Sequence, residues 1–207
     1  LLDPEPGLME LLRWLRDAEP ENAERVAAVA LPHDWLTWRL RGFGPENPRL
    51  DELTTDRSDA SGTGYFNSVT GEYDLELLER ALGHSAILPR VLGPHESAGT
   101  VGDLVVGPGA GDNAGAALGL GAVAGDVIVS IGTSGTVFAV TGSAARDATG
   151  AVAGFADASG LFLPLVATLN AARILDSIAG LLGVDHTGLG ELALAAAPGA
   201  GGLVLQP

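Results

Sequence analysis

The sequence predicts an α/β protein, because helical spacing prevails in its first half and short strands follow Asp126. In residues 8–17 the apolar side chains recur at the spacing of one helix face. From Asp126 the segments DVIVSIG, GTVFAVT, AVAGFADA and GLFLPLV are rich in β-branched residues. Gly, Ser and Thr separate them, which is typical of strands joined by turns.

Composition excludes several classes of function. The 207 residues are 46% hydrophobic, carry a net charge of −15 and include no cysteine. This hydrophobic content is enough to build a core, and the acidic net charge argues against binding of nucleic acid. The absence of cysteine excludes disulfides and thiolate metal sites. Without lysine, the chain cannot form a Walker A phosphate loop. No bilayer-spanning run or N-terminal signal sequence is visible, so we expect a cytoplasmic protein that binds no membrane.

Glycine and proline set the expected limits of the other elements. Further helices are predicted at residues 20–30, 32–42, 74–83, 113–125, 168–182 and 188–196. The small residues of 113–125 predict close packing against a neighbouring backbone. Residues 104–106 are predicted to form a short buried strand, and GGLVLQP at the C-terminal end a strand entering a loop. The change of pattern near Ala124 and Gly125 predicts a domain boundary between residues 1–124 and 125–207.

Asp112 is the first candidate for chemistry. It follows the predicted strand 104–106, stands among glycines in GPGAGDN and opens a helix. A carboxylate there is stabilised as the anion, and Asn113 adds a polar group that could hold a hydroxylated ligand. In a transfer to a sugar hydroxyl, Asp112 would accept the proton of the attacking oxygen. The alternative is an aspartate that only caps the helix, which is the commoner case.

The second candidate is GTSGT, with Gly132, Thr133, Ser134 and Gly135 between two predicted strands. Its glycines would let the backbone approach an anion, and its hydroxyls would donate hydrogen bonds. A simple hairpin turn is the alternative. A hydrolase nucleophile elbow on Ser134 is disfavoured, because Thr136 replaces the last glycine and a strand follows instead of a helix.

Other polar residues leave their roles open. The segment 54–67 is rich in Ser, Thr, Asp and Gly, and is either a functional loop or a well-capped connector. The histidines at 33, 84, 95 and 186 are scattered and form no metal pattern. We interpret His33 as structural or solvent-facing. Arg57 and Arg173 could pair with phosphate or, by default, with surface carboxylates.

Four segments in order resemble the FGGY carbohydrate kinases, and within them most the xylulose kinases. They are LPHDWLTWRLRG, TTDRSDASGTGYFN, GPGAGDNAGAALGLGAV with GDVIVSIGTSGTVFAV, and TLNAARILDSIAGLLG. The resemblance implies a two-lobed actin/hexokinase-like (ribonuclease H-like) fold, with residues 1–124 in the N-terminal sugar-binding lobe. Residues 125–207 would begin the C-terminal nucleotide-binding lobe. His33 stands where the family segment has lysine.

The resemblance also implies a reaction. ATP with Mg²⁺ would phosphorylate a sugar hydroxyl, for D-xylulose giving D-xylulose 5-phosphate. Asp112 matches the catalytic aspartate, Asn113 a sugar contact, and Gly132, Thr133, Ser134 and Gly135 a phosphate-binding hairpin. Another family kinase, for ribulose or glycerol, and a non-catalytic nucleotide- or sugar-binding module remain alternatives. The resemblance allows a homodimer.

The family's N-terminal DxGT loop, N-terminal sugar-contact segment and C-terminal glycine-rich adenosine motif do not occur in these residues. We therefore expect a chain that is incomplete at both ends and inactive by itself, since phosphoryl transfer depends on complete positioning of the phosphates.

Overall fold

The computed structural model describes residues 7–205, and in that range the chain forms helices and short strands. The α-helices are α1 (Leu8–Ala18), α2 (Pro20–Ala23), α3 (Pro32–Leu40), α4 (Arg57–Ala60), α5 (Leu75–Leu82), α6 (Asp112–Gly119), α7 (Ala172–Leu182) and α8 (His186–Ala195). The strands are β1 (Thr54–Asp56), β2 (Phe66–Asn67), β3 (Glu72–Tyr73), β4 (Arg90–Leu92), β5 (Gly99–Val101), β6 (Leu104–Val106), β7 (Val127–Ile131), β8 (Gly135–Ala139), β9 (Ala153–Ala156) and β10 (Phe162–Thr168).

The chain divides into two compact units. The first contains the residues up to 126 together with 139–164, and the second contains 127–138 and the residues from 165 onward. The strands β8 and β10 each pass from one unit to the other. The predicted lobe boundary between residues 124 and 125 concerns the whole protein and stays a prediction.

In the first unit, α1 and α5 build the core. Met9 and Leu12 on α1 meet Leu78 and Leu82 on α5, and all four are buried. The Asp74 side chain accepts a hydrogen bond of 3.1 Å from Leu77 N and so caps α5. Gly83 ends that helix with a left-handed φ of +98°. The start and end predicted for this helix are confirmed.

The helix predicted at residues 20–30 is wrong beyond Ala23. Residues 24–25 form a turn, and the chain then pairs with a distant segment, because Val29 N donates to Ile87 O and Ile87 N donates to Ala27 O, both at 3.0 Å. Val29 is buried there. Pairing with a distant segment thus overrides the weak helical preference of an alanine- and valine-rich run.

The polar segment 54–67 begins with the buried strand β1 of the first unit. β1 pairs with β4, with Thr54 opposite Arg90 and Asp56 opposite Leu92. All three residues of β1 are buried although they are polar. The Asp56 side chain then caps α4 by accepting from Ser58 N at 2.7 Å and Asp59 N at 3.1 Å.

The predicted strand 104–106 forms, but the expectation that it is buried is wrong. β6 pairs with β5 in a two-stranded antiparallel sheet, with Val106 opposite Gly99. Leu104 and Val105 are each 72% exposed. Apolar composition in a short run therefore does not guarantee a covering layer.

Helix α6 begins at Asp112 and is shorter than predicted. It ends at Gly119, and Gly121 takes a left-handed φ of +67°. A Cβ built at Gly115 or Gly119 would meet no atom within 4 Å, so the predicted close backbone packing at these glycines is wrong. Ala114 and Ala117 are the buried residues of this helix.

The second unit follows the strand predictions. Its residues contribute to a four-stranded sheet ordered β7-β8-β10-β9, in which β8 and β10 are antiparallel, with Leu165 opposite Phe138 and Thr168 opposite Gly135. Thr168 therefore belongs to a strand, and the helix predicted from residue 168 begins at Ala172 instead. The predicted C-terminal strand does not form in residues 203–205, while residues 206–207 lie outside the described range.

Candidate active site

Asp112 is the first residue of α6 and is exposed to solvent. Its Oδ1 accepts hydrogen bonds from Asn113 N at 2.7 Å and Asn113 Nδ2 at 3.0 Å. The amide groups at a helix N-terminus favour negative charge, which suits a carboxylate at this position. An oriented, ionised carboxylate in contact with solvent can take a proton from a hydroxyl.

The turn before Asp112, residues 107–111, packs against α3, β1 and α4. Gly109 has a φ of +92°, and a Cβ built there would lie 2.7 Å from His33 Cδ2. Gly111, which precedes α6, donates its backbone N–H to Ser58 Oγ at 2.9 Å. The backbone leading to Asp112 is thus fixed at two points by residues that are distant in the sequence.

Three carboxylates surround His33. Its Nδ1 lies 2.6 Å from Asp59 Oδ2, and its Nε2 lies 3.2 Å from Asp56 Oδ2 and 3.3 Å from Asp34 Oδ1. Neither ring nitrogen forms a regular hydrogen bond, so these are ion-pair contacts. His33 stands in no metal pattern in the sequence, but the fold brings Asp56 and Asp59 to it from another segment.

Ionisation in this His33 cluster, formed by His33, Asp34, Asp56 and Asp59, follows from its close contacts and from its burial. The contacts with Asp56 and Asp59 raise the pKa of His33 to about 10, against a smaller opposing effect of burial. Burial raises the pKa of Asp34 to about 6. Burial also acts to raise the pKa of Asp56, but the contacts with His33 and Ser58 outweigh it and hold that pKa below its usual value.

The His33 cluster suits a bound proton better than a metal ion. His33, Asp56 and Asp59 place possible ligand atoms within 4.8 Å of one another. A metal-binding imidazole must be neutral, however, whereas both ring nitrogens of His33 face carboxylates, an arrangement that favours a proton on each nitrogen. The cluster is therefore an imidazolium held between carboxylates.

We expect the free energy of unfolding to decrease as the pH rises from 6.5 towards about 10, the ordinary and folded-state pKa values of His33. The folded protein keeps a proton on His33 in this window while the unfolded chain releases it, so rising pH favours unfolding. Asp34, Asp56 and Asp59 are the charged groups that face the ring.

A pH series of melting temperatures in the full-length protein measures this effect. A His33→Lys variant is the control, because lysine stays charged in the unfolded chain up to about pH 10. A wild-type melting temperature that changes with pH as weakly as that of His33→Lys would contradict the expectation.

Gly109→Ala is expected to lower the free energy of unfolding by about 2 kcal/mol or more, because a strained φ and a steric overlap add. The new methyl group would overlap the His33 ring. Gly71→Ala is the matched control, since Gly71 has a φ of +74° and nothing within 4 Å of its Cβ position. Thermal unfolding of both variants separates the two costs, and equal losses would argue against the overlap with His33.

Residues 132–134 of the segment GTSGT form the turn between β7 and β8, and Gly135 begins β8. Gly132, Thr133 and Ser134 are exposed, and Gly132 N donates to Ser134 O at 2.9 Å. The carbonyl groups of Gly132 and Thr133 accept from Ala172 N at 2.9 Å and Ala171 N at 3.0 Å. The turn is therefore held by hydrogen bonds from the backbone at the start of α7, while Thr133 and Ser134 are exposed.

Gly135 has no room for a side chain, because a Cβ there would lie 2.9 Å from Thr168 Oγ1. Gly135 is the first residue of the strand β8, so the hydrolase elbow, which needs a helix at this point, is excluded. The predicted hairpin is confirmed as a structure, and its binding of phosphate stays a prediction.

The other candidate side chains have structural contacts. His84 lies 2.9 Å from Ala23 O through Nε2, and His186 Nε2 lies 3.0 Å from Asp176 Oδ1. Arg57 donates to Ser68 O at 3.3 Å and covers the Phe162 ring at 5.8 Å.

None of the helices in residues 7–205 has the length and apolar character needed to cross a membrane.

Comparison with known proteins identifies the family. Residues 8–142 match the FGGY family of carbohydrate kinases, N-terminal domain. The chain is 50% identical over 182 residues to a xylulose kinase of Streptomyces coelicolor, which covers 84% of this chain but only 36% of that relative. The chain thus spans about a third of its curated relative's length.

Solved structures agree on the fold. The xylulose kinase of Bifidobacterium adolescentis superposes with a TM-score of 0.81 at 43% identity, over 92% of this chain and 43% of that one. The xylulose kinase of Rhodospirillum rubrum has the same fold, with a TM-score of 0.81 at 24% identity over 99% of this chain and 43% of that one. The predicted actin/hexokinase-like α/β fold is confirmed for the part present here. The chain belongs to the FGGY family of carbohydrate kinases.

Proposed function

We propose that the protein containing this chain transfers the γ-phosphoryl group of ATP to a hydroxyl of D-xylulose, giving D-xylulose 5-phosphate. The observation that carries the proposal is Asp112, an exposed carboxylate at the start of α6 within the matched residues 8–142. The 50% identity to a xylulose kinase supports the choice of sugar.

Asp112 acts as the catalytic base in this proposal. As the sugar oxygen attacks the γ-phosphorus, its proton passes to the Asp112 carboxylate, and the bond from that phosphorus to the β–γ bridging oxygen breaks. Asn113 holds Asp112 Oδ1 through two hydrogen bonds, which fixes the orientation of the carboxylate. We also assign to Asn113 a contact with the sugar.

We assign phosphate binding to the hairpin of Gly132, Thr133, Ser134 and Gly135. Its backbone and hydroxyl groups can donate hydrogen bonds to phosphate oxygens. The chain contains no lysine that could bind the phosphates instead. Mg²⁺ would enter with ATP and neutralise phosphate charge, since phosphate oxygens and water supply most of its ligands. In the whole protein, residues 1–124 would belong to the sugar-binding lobe and 125–207 to the nucleotide-binding lobe.

ADP release by the full-length protein tests the proposal. The assay uses Mg-ATP with D-xylulose, D-ribulose, L-ribulose, xylitol and glycerol as separate acceptors. A preference for D-xylulose supports the proposal, whereas preference for another acceptor would keep the reaction and change the substrate. Absence of ADP release with every acceptor would favour a non-catalytic binding module.

A further inference from the structure

The turn that leads to Asp112 is held at two neighbouring points, by His33 and by Ser58. Gly109 has no side chain, and the His33 ring occupies the space where one would lie. A Cβ built on Gly109 would be 2.8 Å from His33 Nε2. At Gly111 the backbone N–H donates to Ser58 Oγ at 2.9 Å. Only Ala110 separates these two contacts, so the backbone direction into α6 is set by them.

Ser58 is itself held by the cluster. Its hydroxyl and backbone N–H both donate to Asp56 Oδ1, the latter at 2.7 Å. The other oxygen of the same carboxylate, Asp56 Oδ2, lies 3.2 Å from His33 Nε2. Both contacts to the turn therefore depend on one buried carboxylate and the imidazolium beside it.

Asp59 completes the support on the other side of the ring. Its Oδ2 lies 2.6 Å from His33 Nδ1, and its Oδ1 lies 3.5 Å from where a Cβ of Gly111 would be. Carboxylates at Asp34, Asp56 and Asp59 would repel one another if no cation stood between them. The charge of His33 thus holds together the surface on which residues 107–111 lie.

We propose that His33 is a positioning residue for Asp112, because its charged ring holds Asp56, Ser58 and Asp59 against the turn of residues 107–111. The inference rests on the proposed function, in which Asp112 is the catalytic base. His33 itself does not touch Asp112 and takes no part in the proton transfer. A neutral residue at this position leaves the carboxylates unpaired and lets the turn shift.

The test compares His33→Gln with His33→Lys in the full-length protein. We expect His33→Gln to lower kcat with D-xylulose by about 100-fold, the usual cost of an ångström-scale misplacement, with KM for ATP changed less than about threefold. We expect His33→Lys to keep kcat within about tenfold of the wild type, since it restores the cation. A His95→Gln variant is the control, because His95 is an exposed histidine of the same unit.

Hydrogen exchange followed by mass spectrometry gives a readout that needs no activity. We expect amides of residues 107–113 to exchange about tenfold faster in His33→Gln than in the wild type, because local opening is easier when supporting contacts are lost. Unchanged exchange and unchanged kcat in His33→Gln would overturn the proposal. Equal impairment of His33→Lys and His33→Gln would also overturn it, because charge would then not be the cause.

The two readouts separate this inference from the proposed function. If the wild type phosphorylates no acceptor, the proposed function fails, and the exchange of residues 107–113 still decides whether His33 holds the turn. If the wild type is active and both readouts of His33→Gln match the wild type, the proposed function stands and the positioning role is rejected.

Discussion

Asp112→Asn in the full-length protein is expected to lower kcat by about 1,000-fold, which is within the range for loss of a general base. Asparagine cannot accept the sugar proton, although its side-chain oxygen can still accept the hydrogen bond that Asn113 N now donates at 2.7 Å. Because Asp112 is exposed, the melting temperature should change by no more than about 1 °C. Steady-state ADP release with D-xylulose gives kcat, and calorimetry gives the melting temperature.

Asp103→Asn is the matched control for this variant. Asp103 is an exposed carboxylate in the turn between β5 and β6, in the same unit as Asp112. Its replacement should leave kcat within about twofold, as for surface changes away from a site. If Asp112→Asn kept more than about a tenth of the wild-type kcat, Asp112 would not be the base.

Asp56→Ala is expected to lower the free energy of unfolding by about 3 kcal/mol, the low end for breaking a buried ion pair. Asp56 accepts from Ser58 N, Ser58 Oγ and Asp59 N, and it also faces the His33 ring. Its side chain is only 6% exposed, so water cannot replace these partners. Thermal unfolding of the full-length protein should show a decrease of several degrees.

Asp51→Ala provides the comparison for Asp56→Ala. The Asp51 side chain is 65% exposed and pairs with the exposed Arg49 at 2.6 Å. Surface ion pairs of this kind contribute about 0–1 kcal/mol, so the melting temperature should change little. Similar losses in both variants would mean that burial of Asp56 does not determine its importance.

Local chemistry explains why several elements follow from the sequence. The spacing of leucines in α1, the cap at Asp74, the stop at Gly83 and the turn at Gly132 depend on residues near one another in the chain. Capping, left-handed glycines and alternation act over a few residues. The position of Asp112 at the start of α6 also follows from local sequence, since glycines precede it and a run of small helix-forming residues follows it.

Features that depend on distant partners did not follow from the sequence. Ala27 and Val29 read as helix, yet they pair with Ile87. His33 reads as an isolated histidine, because Asp56 and Asp59 reach it only after β1 is placed beside α3. The sequence does contain one hint of this cluster, the two aspartates three residues apart in TDRSDAS. Such a pair can cap a helix, as Asp56 caps α4, or hold a cation, so the pattern alone does not distinguish the two roles.

The contact between Gly109 and the His33 ring restricts how these two positions can change during evolution. A side chain at position 109 needs the space that the rigid imidazole occupies, so the steric overlap is removed only after position 33 has changed, while the strain of the positive φ remains. A flexible side chain at position 33 could bend away, whereas a planar ring cannot. The order of substitutions therefore matters here, and a double-mutant cycle on the two positions should show strong non-additivity.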